Sequence, residues 1–331
     1  MIKQTKLWLK MRNLKNTFIA RKIYKKAVKM PTTSYESYIC EKYKVMMNRF
    51  EYTKGKTMDF DNPITFTQKQ QWLSLYDQNP NKTILSDKYL VRRHVSKILG
   101  DEYLVPLISI DGIDFFTDAR DIDFSKLPNQ FVLKCNHGSH MNIIVKDKAS
   151  LKARDVWKIK RQLNKWLNID YTFVTCLELQ YHLISRGIII EEYLSDFNDD
   201  LPDYKILCFS GVPKYIWIDV NRFKNHTRTM FNIDGSIAPF AMGEIRPDEK
   251  VKVPTQINEI VRLAKKLCDD YAFVRVDFYC LKGKIYFGEL TFSSGAGLIV
   301  PDPLEYEDSL GELINIDSAK RNNCFLYRKK N

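Results

Sequence analysis

Apolar positions change period along this chain, and the changes divide it. Leu7, Met11, Leu14 and Phe18 recur at helical spacing with Trp8 and Ile19 beside them, which predicts an amphipathic helix near the start. A second helical region is expected over 64–100, in ITFTQKQQWLSLYDQ and then SDKYLVRRHVSKILG, with Gly100 as its C-cap. After Pro128 the pattern becomes one of strands: QFVLKC (130–135), MNIIV (141–145), RGIIIEEYL (186–194), DYKILCF (203–209), PKYIWIDV (213–220), FVRVDFYC (273–280) and KIYFGELTF (284–292). These runs are rich in β-branched and aromatic residues and are bounded by Gly, Pro, Asn or Asp. Helical patterns intervene at 150–185 and 255–270, and no internal repeat is visible, so the expected class is an α+β or α/β unit of mixed sheets.

Composition narrows the class without changing it. At 331 residues, with 44% hydrophobic and 13% aromatic residues, the chain can bury a sizeable core as about two domains or one enzyme-sized unit. Seven cysteines without a CxxC pair argue against a disulfide framework or a zinc ribbon and for reduced thiols in the cytoplasm. The net charge of +12 is concentrated: residues 1–30 hold ten Lys or Arg and no acid, which leaves +2 for the other 301. A near-neutral body without a recognised nucleic-acid motif excludes nucleic acid as the expected partner. No apolar run is long enough for a secretory signal or a transmembrane helix. Residues 1–30 therefore read either as a peripheral helix on the anionic inner face of the cytoplasmic membrane or as a helix packed on the body with its lysines in water.

The candidate chemistry lies in the last strand pair. FVRVDFYC and KIYFGELTF form a hairpin, and a three-residue loop of Lys282, Gly283 and Lys284 would place Asp277 opposite Glu289. Arg275 and Thr291 then share their face, while Val276, Phe278, Leu290 and Phe292 point to a core. Opposed like charges destabilise a sheet unless compensated. A Mg²⁺ ion bound through oxygen ligands is one compensator, and Arg275 neutralising an acid is the other. Upstream, Lys134 ends a strand that runs into a loop with Gly138, where ammonium and backbone N–H groups can hold phosphate oxygens. The loop matches neither the P-loop nor the GxGxxG order. Cys135, His137 and His140 stand within six residues, but a loop that must approach phosphate leaves little room for a zinc cage. Asp219 and Arg222 either line the substrate end of a cleft or form a polar strand exit.

In order along the chain, Lys88, Lys134, Glu191-Glu192-Tyr193-Leu194, Lys205, Asp277 and Glu289 follow the arrangement of the ATP-grasp superfamily. PITFTQKQQWL, DKYLVR, YLVPLI, LPNQFVLKCNHGS, DYKILCFSG, FVRVDFY and IYFGELTFSSGAG resemble its teichuronopeptide-biosynthesis (TupA-like) family of bacterial cell-surface polysaccharide loci, over roughly residues 45–315. The resemblance implies an α+β ATP-grasp fold, with two α+β subdomains clasping ATP and a strand-rich lid over the phosphates. The expected divisions are a basic helical extension (1–45), a helical or mixed region (46–127), the lid (128–190), a second subdomain with the metal site (191–315) and a basic tail (316–331). It also implies that ATP is held by Lys88, Lys134, His137, Gly138, Ser139, Glu191, Glu192, Tyr193, Leu194 and Lys205, and Mg²⁺ by Asp277, Glu289 and Thr291. Arg275 and Lys134 are then the catalytic candidates. Two positions depart from the family pattern: Thr291 stands where many members have Asn, and His140 where the loop often reads HGSG. The implied activity is ligation of a carboxylate, on a small or lipid-linked saccharide, to an amine. A nucleotide-sugar glycosyltransferase, or a membrane-surface scaffold whose ATP site has decayed, would be the alternatives.

Overall fold

A computed structural model describes residues 51–53, 56–77, 79–174, 177–194, 201–221, 225–243 and 245–320, together with Lys22, Lys26, Glu41, Tyr43 and Met47. The Leu7–Ile19 stripe and Arg222 lie outside the described residues. The helices are α1 (Phe66–Tyr76), α2 (Asn81–Ser86), α3 (Val91–Ile98), α4 (Ala153–Leu167), α5 (Ile257–Leu267), α6 (Tyr306–Glu312) and α7 (Asp317–Lys320). The strands are β1 (Glu51–Thr53), β2 (Lys56–Thr57), β3 (Phe131–Cys135), β4 (Asn142–Val145), β5 (Ile188–Glu192), β6 (Asp203–Phe209), β7 (Val212–Val220), β8 (Thr227–Asn232), β9 (Ala241–Met242), β10 (Phe273–Leu281), β11 (Lys284–Thr291) and β12 (Pro301–Asp302). Among the described residues no helix is long and apolar enough to cross a membrane.

The main sheet is antiparallel throughout, in the order β11-β10-β6-β7-β8. Strand alternation gives it two different faces. On one, Tyr204, Ile206, Ile216, Ile218, Val274, Val276, Phe278 and Leu290 pack against α5 and against Leu85, Val91 and Val95 of α2 and α3. The other is apolar at one end only, where Leu207, Phe209, Trp217, Met230 and Phe273 meet Phe66, Leu73 and Leu75 of α1. Its opposite end carries Asp203, Lys205, Asp219, Arg275 and Asp277, all buried.

Local chemistry explains how α1 starts and what pins it. The Thr65 hydroxyl accepts from Gln68 N while the Gln68 side chain accepts from the Thr65 backbone N–H, a reciprocal cap. Glu307 of α6 accepts from the Thr67 backbone N–H at 3.0 Å and from its hydroxyl. Gly311 lets α6 come this close, because a Cβ there would lie 2.2 Å from the Ile64 carbonyl oxygen. Gly311→Ala is therefore expected to destabilise the fold by about 1–3 kcal/mol. Chemical denaturation reads this, and an unchanged midpoint would show that the contact yields without strain.

The smaller unit is a three-stranded sheet in the order β4-β3-β5. Phe131, Leu133, Ile188 and Ile190 cover Leu163 of α4 from one face, while Val132, Lys134, Ile189 and Glu191 share the other. Its limits differ from the expected 128–190. Ile110, Phe116, Ile122, Phe124 and Leu127 belong to its core, and β5 continues to Glu192. The cause is backbone pairing that leaves no side-chain period: Ile108 N donates to Ile190 O (2.8 Å) and Phe116 N to Ile188 O (2.9 Å). The outer boundaries move as well. Tyr43 is buried in the α1 core although 1–45 was expected to be an extension, and Ala319 is buried there although 316 was expected to begin a tail.

The hairpin corrects one expectation while keeping its result. The turn has two residues, Lys282 (φ 50°) and Gly283 (φ 81°), so Leu281 pairs with Lys284. That register alone would misalign the acids. A bulge at Gly288 restores it, and Asp277 pairs with Glu289 and Arg275 with Thr291. Glycine suits the bulge because a Cβ at 288 would meet the Asp277 carbonyl oxygen at 3.1 Å.

Candidate active site

Arg275 is the centre of the charged end. Its Nε donates to Asp277 Oδ1 (2.7 Å) and its NH2 to Asp277 Oδ2 (2.7 Å), Glu289 Oε1 (3.1 Å) and Thr291 Oγ1 (3.2 Å), while NH1 reaches Ser294 Oγ (2.9 Å). Lys205, paired with Asp277 across β6 and β10, lies 2.9 Å from Asp277 and 3.0 Å from Asp203. Burial disfavours its charge, but Asp277 and Asp203 outweigh that and raise its pKa. Burial likewise opposes ionisation of Glu289, yet Lys88, Arg275 and Lys205 hold its carboxyl down to about 2. Without a cation from solution, arginine and lysine resolve the opposed acids.

Lys88 links the two units. Its Nζ donates to the Gly138 carbonyl of the β3–β4 loop (2.7 Å) and lies 3.8 Å from Glu289 Oε2. Two residues absent from the expected site hold it there. Asp87 accepts from Tyr89 N and Leu90 N and from Asn136 Nδ2, and Asn136 O accepts from Lys88 N. Short polar side chains of this kind look like ordinary turn residues in a sequence.

The loop and lid residues fall into different roles. Lys134 pairs with Glu191 at 2.5 Å, and Arg92 approaches the same carboxylate at 3.4 Å. Glu192 is on the opposite face from Glu191 and, as the last residue of β5, is exposed. Tyr193 has Lys146 Nζ 5.9 Å from its ring, and Leu194 is half-buried. His137 is 1% exposed, with Nε2 3.2 Å from Trp166 O. Burial and the nearby Arg186 and Lys88 push its pKa down to about 4, so it packs as a neutral ring. That placement gives its side chain a structural task in the loop. Ser139 is exposed at the loop tip. Asp219 accepts from Arg228 Nε (2.9 Å), and His226 Nε2 lies 3.0 Å from it. This ion pair ends the charged face.

Glu178 is a further group that the sequence pattern does not single out. It is 5% exposed, accepts from Ser293 Oγ (2.9 Å), and Ser293 accepts in turn from Gln180 Nε2 (2.7 Å). Burial raises its pKa to about 7, with Glu289 adding to the shift. A carboxyl whose folded pKa lies above its unfolded value near 4.5 has its stabilising effect in full below pH 4.5 and loses it as pH rises through 7. The loss is of order 3 kcal/mol. His137 acts oppositely, since its folded pKa is depressed and stability rises with pH up to about 6.5. The difference in stability between wild type and Glu178→Gln should therefore swing by that amount between pH 4.5 and 7.5. A constant difference would show that Glu178 ionises freely.

With this geometry in view, comparison with known proteins is decisive on one point. Residues 68–315 match the TupA-like ATP-grasp family. The chain belongs to that family. Its fold class is accordingly the α+β ATP-grasp fold. There is no match among curated protein sequences. Similar solved structures include D-alanine–D-alanine ligase from Bacillus anthracis complexed with ATP (18% identity, 72% of this chain, 66% of that one, TM-score 0.39). The ATP-grasp ligase PsnB complexed with minimal precursor, Mg and ADP is another (12% identity, 75% and 62%, TM-score 0.38). A third is N5-carboxyaminoimidazole synthase from Aspergillus clavatus with ADP and its ribonucleotide (9% identity, 67% and 46%, TM-score 0.37). The chain spans two thirds or less of the length of each of these structures.

Asp277, Glu289 and Thr291 offer only oxygen, and the Glu289 side chain is about a third exposed. Among the described residues no cluster of three His, Cys, Asp or Glu could hold a metal alone. Oxygen donors of this kind suit Mg²⁺ that completes its shell with phosphate oxygens and water, with Asp277 giving up part of its bonding to Arg275 and Lys205. The family's loop pattern also has a physical counterpart at His140, which sits at φ 59°, where glycine is at ease. His140→Gly is expected to change stability by less than about 1–2 kcal/mol, because the strain relieved offsets the chain entropy added. A larger loss in thermal denaturation would mean that the imidazole itself holds the loop.

Proposed function

We propose that this protein is an ATP- and Mg²⁺-dependent carboxylate–amine ligase acting in cell-surface polysaccharide or glycopeptide assembly, joining an amino acid to a sugar acid. The observation that carries the reading is Arg275 held between Asp277 and Glu289, beside Lys205, with Lys88 reaching the same glutamate from the lid loop. The polysaccharide context rests on the family resemblance alone. Bound Mg²⁺ would supply charge neutralisation at the transferring phosphoryl group, held by Asp277 and Glu289 with Thr291 beside them.

In this reading Lys88 and Lys134 hold phosphate oxygens, and the Gly138 loop presents backbone to them. Lys205 holds Asp277 in place. Arg275 exchanges part of its bonding to Asp277 for the charge that develops when the substrate carboxylate takes up phosphate, and again when the amine displaces it. No protein nucleophile is required. Residues 1–30 would hold the enzyme at the cytoplasmic membrane face through their ten cations.

The test is ADP release from ATP and Mg²⁺ with sugar acids and amino acids supplied singly and together. The expected result is release that needs both. Release that needs a nucleotide sugar, or no nucleotide-induced thermal shift, would overturn the reading.

A further inference from the structure

Helix α4 has two faces of opposite character. Leu163 is fully buried, and Val156, Ile159, Trp166 and Leu167 pack beside it against the lid sheet. The outer face presents Arg154, Trp157, Lys158, Arg161 and Lys165, all exposed and all on one stripe at spacings of three and four. The one acid in the helix is Asp155, 3.6 Å from Lys158. Trp157 is 57% exposed, with the Arg161 guanidinium 5.3 Å from its ring centre.

We infer that this face docks the lid on the headgroup layer of a bilayer containing anionic phospholipid. An indole exposed to water on a folded helix gives up burial that it could have had. At a membrane interface the same ring is favoured, with its apolar body among glycerol and acyl groups and its N–H in the wet layer. The four cations flanking it are complementary to lipid phosphate, and their long stems lie along the surface while their heads reach the charge. The inner face of α4 is already used by the lid core, so the helix rests on the surface and does not insert. The inference is independent of the ligase reading and of residues 1–30, since it concerns a folded part of the lid.

The experiment uses the full-length protein and extruded vesicles of phosphatidylcholine, alone or with about one third phosphatidylglycerol. Wild type should sediment with the anionic vesicles and not with the neutral ones, and should release as salt is raised. Its tryptophan emission should shift to the blue on binding. The variant Lys158→Glu/Arg161→Glu/Lys165→Glu keeps the N-terminal segment and the buried face of α4, and should bind the anionic vesicles about tenfold or more weakly. In a Trp8→Phe background, Trp157→Ala should abolish the blue shift that Trp8→Phe alone retains. Equal binding by the charge-reversed variant overturns the proposal, as does equal binding to neutral vesicles. Retention by heparin or RNA with no vesicle binding overturns it in favour of a polyanion.

Discussion

Asp277→Asn and Glu289→Gln should each lower Mg²⁺-dependent ADP formation by about 10²–10³-fold, the usual scale for removing one preorganised electrostatic group. Their stabilities should diverge. Opposed acids suggest that removing either charge relieves repulsion, and for Asp277 the structure reverses that sign. Its two oxygens take hydrogen bonds from Arg275 and Lys205, both nearly buried, so Asp277→Asn leaves two cations short of a counter-ion. A cost of about 3–5 kcal/mol is expected. Glu289 is about a third exposed, and its loss should cost under about 1 kcal/mol. Denaturant midpoints measured beside initial rates separate the two effects. Wild-type turnover in both variants would remove the metal role, and equal midpoints would remove the asymmetry.

Lys205→Met should damage the fold as much as Asp277→Asn does. Lys205 is 6% exposed and lies between Asp203 (1%) and Asp277 (3%), so the variant removes the buried cation that the two carboxylates share and leaves Arg275 as the cation on Asp277. The expected loss is again about 3–5 kcal/mol. Adding Asp203→Asn should recover part of it, because the double variant buries one negative charge fewer. Urea unfolding at pH 7 checks both statements, and a loss under about 1 kcal/mol would mean that water reaches this end of the sheet.

The sheet strands and the acid pair were legible because alternation and charge are local signals. Asp277, Glu289, Arg275 and Thr291 share a face whatever surrounds them, and Val276, Phe278 and Leu290 had to find a core. Lys134 was legible as a strand end beside the Gly138 loop, while Lys88 came with the family resemblance, and the structure puts Lys88 beside Glu289. The rest required tertiary information. Asp203 opens DYKILCF and reads as a strand boundary until Lys205 is seen between it and Asp277. Asp87 and Asn136 act through backbone hydrogen bonds, which carry no sequence period. Glu178 is one acid in a segment of short 3₁₀ turns, and only its burial against Ser293 gives it an unusual protonation state. β8, TRTMFN, was missed because its polar threonines and asparagine blur the alternation that marks its neighbours.

The bulge at Gly288 separates the hairpin into two segments whose lengths need not be conserved together. The four outer rungs, from Leu281–Lys284 to Phe278–Phe287, form a ladder that ends at the bulge, and the carboxylate rungs begin a new one beyond it. A residue gained or lost near the tip can be absorbed there without turning Asp277 or Glu289 to the other face. Relatives that differ in hairpin length should then keep the acid pairing and vary in whether the bulge is present. The exposed tip at Lys282 and Gly283 is likewise a place where a fluorophore or an epitope could be grafted with its register error stopped short of the active site.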